Sequence, residues 1–203
     1  CSLILVGTGG HRLATSSSNI KKINLDLPGV IIPKKTINEL SKLLSENSNE
    51  IELEISSNKI IFFIDNLILI SKLIDGNFPD YNKVIPKNNT NHLIINRSDL
   101  YAAVDRVSTI ANEKSPSIKF KFLNNVVNLS TVNNENSTAT EDIKADYNGN
   151  EIEIGFNAKY IMDILDNLQG DEIKISLNDN STPIIAQEQN SSDTIYVLMP
   201  MRV

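Results

Sequence analysis

Two stretches 124 residues apart carry the same helical stripe, and that repeat restricts the possible folds more than any other feature. Ile37, Leu40 and Leu44 recur as Ile161, Ile164 and Leu168 at a constant separation of 124. The alternating run Ile51-x-Leu53-x-Ile55 recurs as Ile173-x-Ile175-x-Leu177 at 122, the two-residue difference falling in the preceding loop, and Asn58 and Asn180 both occupy the next turn. Apolar residues three and four apart make one face of a helix, and strict alternation makes one buried face of a strand. The repeating unit is therefore a strand, a helix and three strands, and the region after Asn91 contains it twice. One such unit cannot bury its own apolar face, so neighbours stack into a shared sheet system with paired helices on one side, an α+β fold.

Taken in order, an apolar run at Leu3-Ile4-Leu5-Val6 predicts a strand leading to a glycine-rich turn. Val30-Ile31-Ile32 predicts a short strand ending at Pro33. Thr36 with Glu39 three residues on predicts a capping box for a helix of about ten residues. A loop over 45–49, then strands over 51–55, 59–64 and 67–73, complete the first unit. Residues 75–86 hold Pro79, Pro86 and Gly76, which excludes a central strand or a helix interior. This connector places a domain boundary around 87–91. Beyond it are predicted a strand at 92–95, a helix capped by Ser98 running to Asn112, strands over 118–123, 126–131, 138–145 and 151–154, a helix from Asn157 to Leu168 ended by Gly170, and strands over 173–177, 183–187 and 194–199.

Charge and cysteine content narrow the function. A formal charge of −6 excludes a uniformly basic surface wrapping nucleic acid, though not a local basic face on an acidic body. The single cysteine, Cys1, forbids an internal disulfide and fits a reducing compartment. No stretch approaches the roughly 20 apolar residues of a membrane span, and no secretory leader pattern is visible. A chain that opens on Cys1 rather than Met reads as a fragment or a processed product. Catalysis has little to stand on: His11 and His92 are the only histidines, and no nucleophile–base set clusters. Gly7-Thr8-Gly9-Gly10 lacks the Lys-Ser/Thr that follows in a phosphate loop. Asp75, Asp80 and Asp99 read as turn and cap residues.

Four separated runs then stand together: Thr8-Gly9-Gly10-His11-Arg12-Leu13 with Ala14; Phe78-Pro79-Asp80-Tyr81 with Val84 and Pro86; Ser108 to Lys114, ending Ala111-Asn112-Glu113-Lys114; and Tyr196-Val197-Leu198-Met199-Pro200-Met201-Arg202-Val203. In this order and spacing they closely resemble the bacterial sliding clamp, the beta subunit of DNA polymerase III. The resemblance covers essentially the whole chain, and in its terms residues 1–88 are the C-terminal part of the middle domain and 89–203 the C-terminal domain. The family's first domain and the opening of its second fall outside it. What it implies is a non-catalytic processivity factor in the bacterial cytoplasm, associated with the nucleoid. Two crescents close head to tail around duplex DNA with helices on the inner face and sheets on the outer face. It implies no cofactor, no metal and no membrane.

The resemblance also implies site residues. A pocket for the linear motif of the DNA polymerase III alpha subunit, the clamp loader and other clamp-binding proteins would use Thr8, Gly10, His11, Arg12, Leu13, Pro79, Lys83 and Val84. From the later part of the chain it would use Val197, Met199, Pro200, Met201 and Arg202, with Ser181 and Pro183 beside them. The chemistry agrees: methionines repack around different apolar side chains, prolines make rigid walls, and arginines hold carbonyls or carboxylates. Gly9 departs from an acidic residue usual in this turn, and Lys83 keeps a charge without the bidentate geometry of arginine. Lys34, Lys35, Arg106 and Lys159 would face DNA. Thr109, Ile110, Lys114 and Ile118 match the edge that meets the other subunit of a homodimer, so this polypeptide alone would offer one half of that interface. A competing reading is a peptide-binding module without DNA encirclement; the repeat with basic helix starts argues against it.

Overall fold

In a computed structural model the described residues are 2–20, 29–44, 50–112, 114, 116–133 and 137–202. The expected loop over 45–49, the terminal Cys1 and Val203, and Glu113 lie outside them. The chain divides into two compact units, Cys1–Ile23 with Tyr81–Val203, and Asn24–Asp80. A hairpin comes first, β1 (Ser2–Thr8) and β2 (Arg12–Asn19). Then α1 (Lys34–Leu43) and the antiparallel strands β3 (Glu52–Ile55), β4 (Lys59–Ile64) and β5 (Leu67–Lys72) build the smaller unit. In it Ile60, Phe62 and Ile64 point to one side and are buried against Leu40 and Leu44 of the helix.

The larger unit follows the predicted repeat. Its first copy is β6 (Asn91–Asn96), α2 (Arg97–Ser108), β7 (Ser117–Leu123), β8 (Val126–Val132) and β9 (Thr138–Lys144). After a short β10 (Asp146–Tyr147) comes the second copy: β11 (Ile152–Asn157), α3 (Ala158–Asn167), β12 (Glu172–Leu177), β13 (Ile184–Glu188) and β14 (Thr194–Leu198). The copies exchange leading strands. β11 pairs with β7 of the first copy, giving the sheet β11-β7-β8-β9, and β6 pairs with β12 of the second, within β1-β2-β14-β13-β12-β6-β10. That exchange locks the copies together, and α2 and α3 pack on each other between them. The core holds Phe120, Phe122, Phe156 and Tyr147 fully buried, with Phe156 edge-on to Phe120 at 5.3 Å. Burying each such ring contributes about 1.5–3 kcal/mol.

Local expectations fail where a side chain found another partner. Thr36 is not the cap of α1. Pro33 occupies that position, with its carbonyl accepting from the Thr36 and Ile37 amides, while buried Thr36 hydrogen-bonds Ser71 at 2.6 Å. Glu39 pairs instead with Lys42. Ser98 is not the cap of α2 either. Asn96 is, its Oδ1 accepting from the Asp99 amide and from the Ser98 hydroxyl. α2 ends at Ser108 rather than Asn112, because the chain turns there and the Ser108 carbonyl accepts from Ala111. Asn157 does cap α3, accepting from the amides of Lys159 and Tyr160. Gly170 does not end it: Leu168 leaves the helix in extended geometry two residues earlier. Residues 30–32 form no strand, only a single bridge of Ile31 to Ile74.

Candidate peptide-binding site

The glycine turn closes the first hairpin. Gly10 has φ +86°, a conformation that residues with a Cβ rarely adopt. The Arg12 carbonyl collects the Gly9 amide at 3.0 Å and the Thr8 hydroxyl at 3.1 Å. Thr8 then pairs across to Leu13. β2 continues into the large sheet beside β14, with Leu13 opposite Val197 and Arg12 opposite Leu198. Leu13 and Val197 are buried on one face of this strand pair and form an apolar floor, while Leu198 turns to the opposite face and joins the core.

Two backbone bonds carry the chain past β14. The Met199 amide donates to the His11 carbonyl at 3.0 Å, and the Met201 amide to the Gly155 carbonyl of β11 at 2.7 Å. Residues 199–201 thus bridge from the glycine turn to the other sheet, with Met199, Pro200 and Met201 half-buried and Arg202 exposed. A terminal Met-Pro-Met-Arg frays by default; here the amides of Met199 and Met201 are both held. Arg12 lies across α3, its guanidinium 4.4 Å from the centre of the Tyr160 ring and paired with the Asp163 carboxylate. At the loop before β13, Asp179 accepts from the amides and hydroxyls of both Ser181 and Thr182. Those four bonds hold its carboxyl well below the usual carboxylate range. The next residue, Pro183, has its carbonyl held by the Asn89 side chain at 3.0 Å.

Thus Thr8, Gly10, His11, Arg12, Leu13, Val197, Met199, Pro200 and Met201 share one corner of the larger unit. Ser181 and Pro183 lie in the loop that enters β13, next to β14. Lys83 and Val84 are exposed at the end of a short 3-10 helix (Tyr81–Lys83) of the same unit. Pro79 belongs to the other unit. Sequence reasoning missed Tyr160, Asp163 and Gly155, which join through contacts more than 40 residues distant in the chain. It also missed Asp179, although Asn-Asp-Asn-Ser-Thr-Pro is a readable side-chain turn signal.

The charged candidates separate. Lys34 and Lys35 are exposed in the first turn of α1, which carries no acidic residue. Arg106 is instead engaged by Glu141 of β9 through two hydrogen bonds; the pairing raises the guanidinium pKa and lowers that of the carboxyl. Lys159 is exposed at the start of α3, whose outer face also carries Asp163 and Asp166. Thr109 and Lys114 are exposed and Ile110 half-buried, but Ile118 is wholly buried on the core face of β7 and offers no surface. Among the described residues no helix is long and apolar enough to cross a membrane.

Known proteins share this arrangement. The DNA polymerase III beta subunit central domain matches residues 2–80, and its C-terminal domain matches 82–202. The chain belongs to the DNA polymerase III beta subunit family. The beta sliding clamp of Caulobacter vibrioides is 39% identical over 199 residues, 98% of this chain and 53% of that protein. A sliding clamp from Bartonella birtlesii, solved bound to griselimycin, superposes with a TM-score of 0.94 at 41% identity, covering 100% of this chain and 55% of the other. The Pseudomonas aeruginosa clamp, solved with a ligand, gives 0.95 at 33% identity, covering 100% and 55%. The chain spans about half the length of the relatives it matches.

Proposed function

We propose that this chain is part of a non-catalytic processivity factor that encircles duplex DNA and tethers polymerase and other replication proteins through a peptide pocket. The observation that carries the reading is the strapped segment Met199–Pro200–Met201 beside the Thr8–Leu13 turn. It brings two flexible thioether side chains and a rigid ring, all half-buried, next to the strand pair that carries buried Leu13 and Val197, with Arg12 at the end of the same turn. Such a corner suits an extended peptide with apolar side chains at one end and a carbonyl or carboxylate near Arg12. Its partners would be the polymerase III alpha subunit, the clamp loader and other proteins bearing that motif. In this reading residues 1–88 supply the end of the central domain and 89–203 the C-terminal domain. The place of action is the bacterial cytoplasm, at the nucleoid.

DNA contact is assigned first to Lys34 and Lys35. Two ammonium groups at a helix start, with no acid in the turn, stand beside amides that already favour an anion. Arg106 contributes less than its position in the sequence suggests, because Glu141 holds it. Lys159 stands beside two aspartates, which dilutes its field. Contacts of this kind are few, mobile and salt-sensitive, as sliding requires. A homodimer ring would use the region of Thr109, Ile110 and Lys114 at the end of α2, next to the open edge of β9.

The test is fluorescence anisotropy of a labelled clamp-binding peptide titrated with this chain. Saturable binding in the micromolar range, about −8 kcal/mol, lost with Met201→Ala and with deletion of 199–203, supports the pocket. Binding unchanged by both variants would sink it. Retention of the full-length protein on circular but not linearised DNA, abolished by Lys34→Glu with Lys35→Glu, tests encirclement. The peptide-only module predicts no difference between the two DNA forms.

A further inference from the structure

The small sheet has two unlike faces. Ile60, Phe62 and Ile64 turn toward α1 and are buried, so Lys59, Ile61 and Phe63 turn the other way. Cross-strand register adds their neighbours on that outer face: Glu52 opposite Phe63 and Glu54 opposite Ile61 from β3, and Ile68, Ile70 and Lys72 opposite Phe63, Ile61 and Lys59 from β5. Ile68 and Ile70 are 63% and 62% exposed. Contiguous apolar side chains standing this far into solvent mark an interaction surface. Glu52, Glu54, Lys59 and Lys72 are exposed around them, and no ion pair occupies any of the four among the described residues.

The charges are not scattered. Both glutamates lie along one edge, on β3. Both lysines lie along an adjacent end, on the row that crosses β4 and β5. A two-fold axis along the diagonal between that edge and that end exchanges the two. It sets Glu54 over Lys59 and Glu52 over Lys72, brings Ile61 and Ile68 each onto its own copy, and sets Phe63 over Ile70. Strands crossing at near right angles are one of the two ordinary ways in which sheets pack. Neighbouring strands lie about 4.8 Å apart and same-face residues about 6.8 Å apart. The outer charge pair is therefore displaced by roughly 4 Å, within the reach of the two flexible side chains. We propose that this face is a self-association surface, and that its occupant is a second copy of the chain docked orthogonally through the Ile61–Phe63–Ile68–Ile70 patch. The inference concerns the smaller unit alone and stands apart from the peptide corner and from DNA.

Sedimentation velocity of the whole chain over a concentration series tests it, with circular dichroism melts confirming that each variant folds as the parent does. The parent is expected to associate, less so at high salt. Glu52→Lys with Glu54→Lys, and separately Lys59→Glu with Lys72→Glu, place like charges face to face, and each is expected to move association to concentrations at least about tenfold higher. Mixing the two folded variants one to one is expected to restore it, because each then meets its complement. Ile68→Ser with Ile70→Ser is expected to lose it in both settings. A parent that stays monomeric, association indifferent to either charge reversal, or a mixture that fails to recover would each overturn the proposal.

Discussion

Arg12 spends its side chain on α3, stacked on Tyr160 and paired with Asp163, while its backbone carbonyl closes the glycine turn. Side-chain exposures of 39% and 56% leave that ion pair in water, where such pairs contribute about 0–1 kcal/mol. Arg12→Ala is thus expected to lower the melting temperature by only a few degrees and to weaken a clamp-binding peptide by about tenfold; calorimetry and anisotropy separate the two effects. The glycines of the turn are expected to differ. Gly10, at φ +86°, should lose about 1 kcal/mol as Gly10→Ala. A Cβ at Gly9 would meet only the Arg12 side chain at 4.0 Å. Gly9→Ala should therefore stabilise by about 0.4–1 kcal/mol in the same melts. The sequence made the turn legible because glycine, threonine and arginine lie within five residues. It hid Tyr160 and Asp163 because no local pattern encodes what meets across the fold.

At the scale of elements, caps were the hardest feature to read. Ser98 and Thr36 both looked suitable, yet Asn96 outcompeted the first by reaching the Asp99 amide, and burial diverted the second to Ser71. Only Asn157, with no rival nearby, was legible. The strand β2 was invisible because its Thr15-Ser16-Ser17-Ser18 run lacks apolar alternation; its pairing to β14 and the Ser16–Thr194 hydroxyl contact at 2.8 Å supply what propensity does not. Asn157→Ala should destabilise the fold by about 1 kcal/mol, seen as a fall of about 2–4 °C in the melt. The Asp179 turn carries a pH signature. Its carboxyl is depressed in the folded chain, so the stabilisation is fully present above the unfolded carboxyl value near 3.9 and fades as pH falls through the lower folded value. Amide exchange at Ser181 and Thr182 should therefore hold its protection from pH 7 to about 4 and lose it only in stronger acid. Asp179→Ala should leave both amides unprotected throughout.

For the whole molecule, family boundaries and packing disagree instructively. The central-domain match runs over 2–80, yet the hairpin within it joins the sheet of the larger unit through β2 and β14. The connector at 75–86 was visible as a concentration of Pro and Gly. That the hairpin had left its own domain was not, since nothing in Thr15–Ser18 names a partner 180 residues away. Among the described residues the smaller unit's core rests on three buried apolar side chains, against more than two dozen in the larger. Hydrogen exchange in rising urea should accordingly find the amides of β3–β5 opening first, at lower denaturant than those of β7, β11 and β12. Simultaneous opening would show that the two behave as one cooperative body.

The pairing of β2 with β14 also sets a clock on synthesis. β2 leaves the ribosome about 175 residues before the strand it must pair with, an interval of roughly 10–35 s at ordinary elongation rates. Through that time the hairpin has an unpaired backbone edge and an uncovered Leu13. Folding of the large sheet is therefore a late event, governed by the closing of one very long loop. The nascent chain is a natural client for factors that hold open strand edges until their partners arrive.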